Sequence, residues 1–457
     1  MSKALKQRAC SLLFVTTLLL TTVYTAQAQA GIVTFTGTFK DGATYLIEVP
    51  ANWNGTLLLY SHGYVVPGSA NPAQDVGDPL TRFFLLSNGF ALAGSSYATT
   101  GWALDQAFPD QIAVLDTFTS LVGPATRTIG WGHSLGGIIT AGLVQKFPSR
   151  FAGALPMCGV VAGGVGTWNQ ALDSAFAFAN LLAPNSGLQV VNITNPPGNL
   201  GLAEFILAGA QATPHGQARV ALVAALSDEP GWFDPASPPP SPTDYAAQEF
   251  NQFLWMQQVT FPFGFAFRAE LEFRARGNPS WNTGVNYKAQ LKRSVNYAEV
   301  VALYQQAGLD LNADLETLQH AARISANPAS VRYLSRNIIF NGQLSVPVLT
   351  IHTIGDGLVM VEDEQAYAKV VREADDSSLL RESFVARAGH CTFTPAETIA
   401  ALSGLIRRLD TGKWQGINPN DLNQAAAALG ATFNIAPPSY LSFSPAPFLR
   451  PFDALSH

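Results

Sequence analysis

The stretch Gly130-Trp131-Gly132-His133-Ser134-Leu135-Gly136-Gly137 constrains this chain more than any other. Thr128, Ile129 and Trp131 continue a run that reads as a buried strand, whereas Leu135, Ile138, Ile139 and Leu143 recur at helical spacing until Pro148 stops them. Ser134 therefore falls on the turn between a strand and a helix. A turn that sharp drives its central residue toward positive φ and leaves room only for small neighbours, which Gly132, Gly136 and Gly137 supply. The helix start also aims free backbone N–H groups and the positive end of its dipole at the serine oxygen.

Around this turn, short apolar runs alternate with helical patterns from 31 to 160, and the alternation resumes from about 340 to 410. The runs IVTFTGTF, TYLIEV, TLLLYSHG, FALAGSSY, TIGWGHS and FAGALPMC read as strands, with helices near 79–88, over 105–122 and from 135. This pattern predicts an α/β fold with a doubly wound, mostly parallel sheet. Residues 164–340 differ, with helical stretches at 203–226 and 296–323, a proline cluster EPGWFDPASPPPSP and an aromatic run over 250–267. They read as a large helical lid inserted between two parts of one core, 31–163 and 341–412. Residues 413–457 form a tail to which the sequence gives no role.

Lys3, Lys6 and Arg8, the apolar run from Leu12 to Leu20 and the small-residue pattern Ala26-Gln27-Ala28 read as a signal peptide over 1–28. The apolar run is short for a membrane span, so the expected location is secreted or periplasmic, without stable membrane insertion. The chain carries a net charge of −6 and loses three cations with such a leader. The resulting negative balance argues against nucleic acid or an anionic surface as partner and favours a small molecule. Cys10 lies in the leader, which leaves Cys158 and Cys391 as a disulfide candidate in an oxidising compartment, the alternative being two separate buried thiols.

Gly132-His133-Ser134-Leu135-Gly136 resembles the G-x-S-x-G nucleophile elbow of the α/β-hydrolase superfamily, in the strand-turn-helix context that motif requires. The resemblance implies the chain order serine, acid, histidine. Downstream, the apolar run Val346–His352 leads to Asp356 between Gly355 and Gly357, while Glu362 and Asp363 compete for the acid's role from a helix start, where acidic residues are expected for dipole reasons alone. Position removes most histidines as the base. His133 is inside the elbow, His62 precedes it, His352 is within the apolar strand, His215 and His320 fall in the lid, and His457 ends the chain. His390 remains, after a strand around 381–385 and before a helix announced by Thr394, Pro395 and Glu397 as a capping box.

The resemblance then implies the roles. Ser134 is the nucleophile, His390 the general base and Asp356 the acid that orients it. The Leu135 backbone N–H is one oxyanion donor by position, and the Tyr64 N–H, in the loop YSHGYVV, is the second by similarity to the HG-x loops of esterases and lipases. The superfamily's strand order also brings Cys158 and Cys391 to one edge of the sheet, so a bond between them would tether the histidine loop.

These implications point to a secreted serine hydrolase cleaving carboxylic esters through an acyl-enzyme, with a small-molecule, lipid or polymeric ester as substrate, and the Phe- and Trp-rich stretch 250–267 suggests that the substrate is apolar or aromatic. The pattern around Tyr64 and GWGHSLGG resembles that of secreted lipases, cutinases and polyester hydrolases, but the central insertion departs from their compact members. No phosphate-binding glycine loop, dinucleotide fingerprint or metal cluster is evident, so no cofactor and no metal are expected. A peptidase is the main alternative. It would need a group to capture a charged substrate terminus, for which Glu204, Glu270, Glu272 and Arg268 are candidates. A non-catalytic binding protein is a third class, which would usually have lost one of the three triad residues.

Overall fold

The computed structural model describes residues 25–29 and 31–452. Most of the expected leader lies outside the described residues. The strand Thr25–Gln29 (β1), which overlaps the last residues of that segment, pairs antiparallel with Ile32–Thr38 (β2). Among the described residues one ten-stranded sheet runs in the order β1-β2-β3-β5-β4-β6-β7-β8-β9-β10. The further strands are β3 (Thr44–Pro50), β4 (Thr56–Ser61), β5 (Ala91–Ser95), β6 (Arg127–His133), β7 (Gly153–Met157), β8 (Val348–Gly355), β9 (Leu380–Ala388) and β10 (Tyr440–Leu441). From β5 through β9 the pairings are parallel, and the strands outside that block pair antiparallel. Every residue of β4, β5 and β7 is buried, as strands covered on both faces must be. The single order reversal, β5 before β4, and the parallel block with helices on its faces are the α/β-hydrolase arrangement.

Five helices cover the sheet, at Pro79–Ser87, Leu104–Leu121, Leu135–Lys146, Glu362–Glu373 and Pro395–Thr411. The last starts on the expected capping box. Thr394 Oγ1 accepts from the Glu397 N–H at 3.1 Å, and Glu397 Oε2 accepts from the Thr394 N–H at 2.8 Å. Glu397 also pairs with Arg387 of β9, so the helix start and the strand end that flank His390 are bolted together.

Between β7 and β8 the chain is helical from Gly164 to Asn337. The two long helical stretches expected there are each broken. Residues 203–226 divide into Pro196–Gln211 and Pro214–Ala225, because the Thr213 side chain caps the second helix and Pro214 opens it. Residues 296–323 divide into Tyr297–Ala307 and Leu311–His320 at Gly308, whose φ of 69° ends the first helix. The aromatic run is a helix, Tyr245–Trp255, that passes into two π-helical turns, Met256–Thr260 and Phe263–Phe267, before the helix Arg268–Ala275. These elements bury a core of their own, including Phe178, Leu222, Met256, Phe265 and Tyr304. Arg274 ties them to the sheet domain by bonds to Asp105, Gln106 and the Thr100 carbonyl.

The tail is folded. A helix, Pro419–Ala427, packs beside β10, and Arg450 donates to Asp173 of the insertion at 2.5 Å.

Candidate active site

Ser134 has φ 59° and ψ −122°, a conformation that a non-glycine residue holds only when its surroundings dictate it. The surroundings are tight. A Cβ added to Gly136 would meet the Ser61 carbonyl oxygen at 1.8 Å, one on Gly132 the same oxygen at 2.4 Å, and one on Gly137 the Cα of Gly159 at 2.4 Å. The three glycines are thus required by the close approach of β4 and of the segment after β7. Leu135 is the first residue of the helix, so its N–H has no acceptor within that helix. The loop after β4 passes directly over the serine, since a Cβ built on Gly63 would lie 3.5 Å from Ser134 Cβ and 4.0 Å from its Oγ. His62 braces that loop. Its ring nitrogens sit 2.7 Å from the Gly63 carbonyl and 3.1 Å from the Ser96 carbonyl, and its ring stacks on Tyr97 at 4.0 Å.

Asp356 and His390 meet on the neighbouring strand ends. His390 Nδ1 lies 2.7 Å from Asp356 Oδ2, and Asp356 Oδ1 accepts from the Leu358 and Val359 N–H groups, both at 3.0 Å. The carboxylate is fully buried. Burial alone would raise its pKa, but the charge of His390 and the contacts of His352 and His390 outweigh it and hold the group at about 2. Neither Glu362 nor Asp363 takes this place. Asp363 accepts from the Ala162 N–H at 3.0 Å, and burial raises it to about 7; burial, with Asp228 nearby, raises Glu362 to about 8.

Cys158 and Cys391 are bonded, with their Cα atoms 5.4 Å apart. Cys158 follows Met157, whose carbonyl accepts from the Ser134 N–H at 3.0 Å, and Cys391 follows His390. The bond therefore links the elbow's support to the histidine loop. Both cysteines adopt positive φ, 43° and 57°, so the two loops turn sharply where they are joined. His390 Nε2 lies 3.4 Å from Cys391 Sγ.

A cavity opens beside the serine, lined by Ser134, Leu135 and Tyr64 together with Trp102, Trp168, Phe261, Phe263 and Phe265. The second π-helical turn supplies Phe263 and Phe265, and Phe261 comes from the link between the two turns. Tyr64 packs against Phe263 and Phe267 at ring distances of 5.1 and 6.0 Å, so its side chain is a wall between the core and the insertion. Phe448 of the tail also reaches this cavity, as do the buried acids Glu229 and Asp363. Burial pushes Glu229 well above the ordinary carboxylate range.

None of Glu204, Glu270, Glu272 and Arg268 lines the cavity. Arg268 is buried against Glu272 at 3.1 Å and Asn278 at 2.9 Å, and Glu270 holds Arg274 and the Trp102 N–H. These charges satisfy one another within the insertion and at its seam with the core.

The residue that position had set aside, His352, lies within this site. It is fully buried on β8, 3.6 Å from Asp356 Oδ2. The spacing of His352 four residues before Asp356 was the available signal, hidden because a histidine inside an apolar strand reads as core.

No protein-family profile matches the chain. A solved esterase from Aspergillus oryzae aligns over 84% of this chain and 80% of its own, at 15% identity and a TM-score of 0.44. The rice cell wall degrading esterase LipA from Xanthomonas oryzae aligns over 84% and 91%, at 15% identity and a TM-score of 0.35. In sequence, the chain is 32% identical over 424 residues to the o-phthalyl amidase of Xanthobacter agilis, an alignment that covers 86% of this chain and 90% of that one. The chain belongs to the family of that amidase and is a hydrolase of the α/β-hydrolase fold.

Proposed function

We propose that the protein is an exported serine hydrolase that transfers the acyl group of an aromatic carboxylic amide or ester to Ser134 and then to water. The observation that carries this reading is the 2.7 Å bond from His390 Nδ1 to Asp356, on a loop covalently joined to the support of the strained Ser134 turn. In the first half-reaction His390 takes the Ser134 proton as Oγ attacks the scissile carbonyl, and the Leu135 and Tyr64 N–H groups receive the oxyanion. His390 then returns the proton to the leaving nitrogen or oxygen, the carbonyl–leaving-group bond breaks, and an acyl-serine remains. Water, deprotonated by the same imidazole, releases the acid. Asp356 keeps the Nδ1 proton in place and stabilises the imidazolium.

Two features support an aromatic acyl group. The cavity beside Ser134 is walled by phenylalanine and tryptophan rings, and its volume, about 110 Å³, approaches the roughly 150 Å³ of an apolar cavity that takes up benzene. The relative at 32% identity acts, by its name, on an o-phthalyl amide, which favours amides over the ester substrates that the elbow motif alone implies. The N-terminal leader pattern and the disulfide support export, and no helix among the described residues is long and apolar enough to cross a membrane.

The test is a matched panel, with phthalyl, benzoyl and acetyl groups each on a common amine and on p-nitrophenol, combined with fluorophosphonate labelling of the wild type and Ser134→Ala. Aromatic acyl groups should exceed acetyl in kcat/KM in both series, and labelling should vanish in the variant. Labelling that persists in Ser134→Ala would falsify the nucleophile assignment. A preference for acetyl would refute the aromatic pocket.

A further inference from the structure

Beneath the acid of the proposed triad lies a second imidazole that no step of the mechanism uses. The His352 side chain is fully buried, and both of its ring nitrogens face acceptors. Nε2 is 2.9 Å from the Val359 carbonyl oxygen, and Nδ1 is 2.9 Å from Glu364 Oε1. A carbonyl oxygen cannot donate, so Nε2 carries a hydrogen. The Glu364 carboxylate is itself fixed, because its other oxygen accepts from the Thr350 hydroxyl at 2.7 Å. With Glu364 ionised, Nδ1 carries a hydrogen as well, and the ring is then a cation clamped between a carboxylate and a carbonyl.

That cation sits 3.6 Å from Asp356 Oδ2, the same oxygen that His390 reaches from the other side at 2.7 Å. The first distance is too long for a hydrogen bond but within ion-pair range. Asp356 Oδ2 is thus held between two imidazoles while Oδ1 is pinned by two backbone N–H groups. We propose that His352 is a positioning residue for Asp356, an imidazolium that keeps the carboxylate charged and turned toward His390. The inference rests on the triad reading for its catalytic meaning, though not for the charge state of the ring.

Acidic groups surround the His352 ring. Facing it are Asp356 from the loop after β8, Glu362, Asp363 and Glu364 from the helix Glu362–Glu373, and Glu382 from β9, with Arg372 set against Glu382. Burial works against a proton on His352, but the contacts with Asp356 and Glu364 outweigh it and raise the group well above the ordinary histidine value.

The cation has a consequence for the reaction. A fixed positive charge behind Asp356 opposes the growth of a second positive charge on the imidazole across the same oxygen. In His352→Gln the buried carboxylate loses that counter-charge, and the second positive charge forms against less opposition. Removing one nearby charge moves a titration by about 1 unit or more. The acid limb of kcat/KM should therefore shift upward by about one pH unit, a loss of about tenfold on the acid side, with KM and the alkaline plateau little changed. A purely structural role would lower kcat at every pH without moving the limb.

The experiment uses the purified full chain, labelled with ¹⁵N-histidine. The His352 ring should show two protonated nitrogens from about pH 5 to pH 8, and kcat/KM for p-nitrophenyl benzoate should show the shifted limb in His352→Gln. If that variant does not fold, Glu364→Gln removes the partner of the cation and should shift the limb in the same direction. A neutral-ring pattern for His352 at neutral pH, or a uniform loss with an unmoved limb, overturns the proposal. Failure of the triad reading is separable, because fluorophosphonate would then not label Ser134 whatever the His352 spectrum shows.

Discussion

Asp356→Asn is the substitution whose outcome the structure specifies most closely. The new amide oxygen would keep the two bonds that Oδ1 makes to the Leu358 and Val359 N–H groups, both 3.0 Å, so the amide nitrogen is forced into the place of Oδ2. There it lies 2.7 Å from His390 Nδ1 and 3.6 Å from His352 Nε2. An N–H pointing at Nδ1 makes that nitrogen the acceptor and moves the ring proton to Nε2, the atom that takes the serine proton in the proposed mechanism. The base is then blocked. In serine hydrolases such a tautomer change lowers kcat by about 10⁴, or about 5.5 kcal/mol at 1.36 kcal/mol per decade. The second amide hydrogen faces the His352 N–H, two donors with no acceptor between them, which adds about 1 to 3 kcal/mol of instability. The assay is kcat at saturating aromatic ester, with thermal unfolding of the same preparations. Asp363→Asn, whose carboxylate binds the Ala162 N–H instead, should lower kcat less than tenfold. A folded Asp356→Asn enzyme retaining a tenth of wild-type kcat would refute the argument, as would a larger loss in Asp363→Asn.

Three further outcomes are expected. Gly136→Ala places a Cβ 1.8 Å from the Ser61 carbonyl, so β4 or the elbow must move, and the unfolding free energy should fall by about 1 to 3 kcal/mol with loss of fluorophosphonate labelling; unaltered labelling would contradict it. Gly264 lines the cavity, and a Cβ on it meets nothing within 4 Å, so Gly264→Leu should fill the space and lower kcat/KM for phthalyl and benzoyl substrates more than for acetyl ones, an equal loss on all three counting against the pocket. Burial raises Asp110, Glu249 and Asp363 to about 7 and Glu299, Glu362 and Glu382 to about 8. Between the ordinary carboxylate range and those values the folded state binds protons that the unfolded state releases, so stability falls as pH rises. His62 and His133, lowered chiefly by burial, act oppositely below their ordinary value but are fewer. The unfolding temperature should be higher near pH 6 than near pH 8.5, and the reverse order by calorimetry would show that these acids are ionised in the fold.

What the sequence disclosed and what it hid divide along a physical line. The turn at Ser134, the Gly-Asp-Gly loop after β8 and the capped helix after His390 are each specified by a few adjacent residues, so their places on strand ends could be read directly. The breaks at Thr213-Pro214 and Gly308 are equally local, but the apolar spacing continues on either side of each and masks them. His352 and Glu364 stand 12 residues apart on a strand and a helix, and only the packing of that helix on the sheet makes them partners. The tail is harder still. Phe448 and Arg450 lie in an aperiodic, proline-containing segment, and nothing in its pattern indicates that one reaches the cavity and the other pairs with Asp173.

The bond from Cys158 to Cys391 spans 233 positions, and the whole helical insertion lies between its ends. Topologically that stretch is a closed ring with the two termini as tails. The exposed loop over 234–244, rich in proline and anchored by the Asp234 and Ser237 turn on Trp232 and by Gln248 on the Ser241 carbonyl, is where a protease would cut first. One cut there opens the ring without dividing the molecule. The nicked enzyme should run as one band without reductant and as two with it, and should keep its activity until the disulfide is reduced. The same cross-link that joins the histidine loop to the support of the Ser134 turn thus keeps a cut chain in one piece.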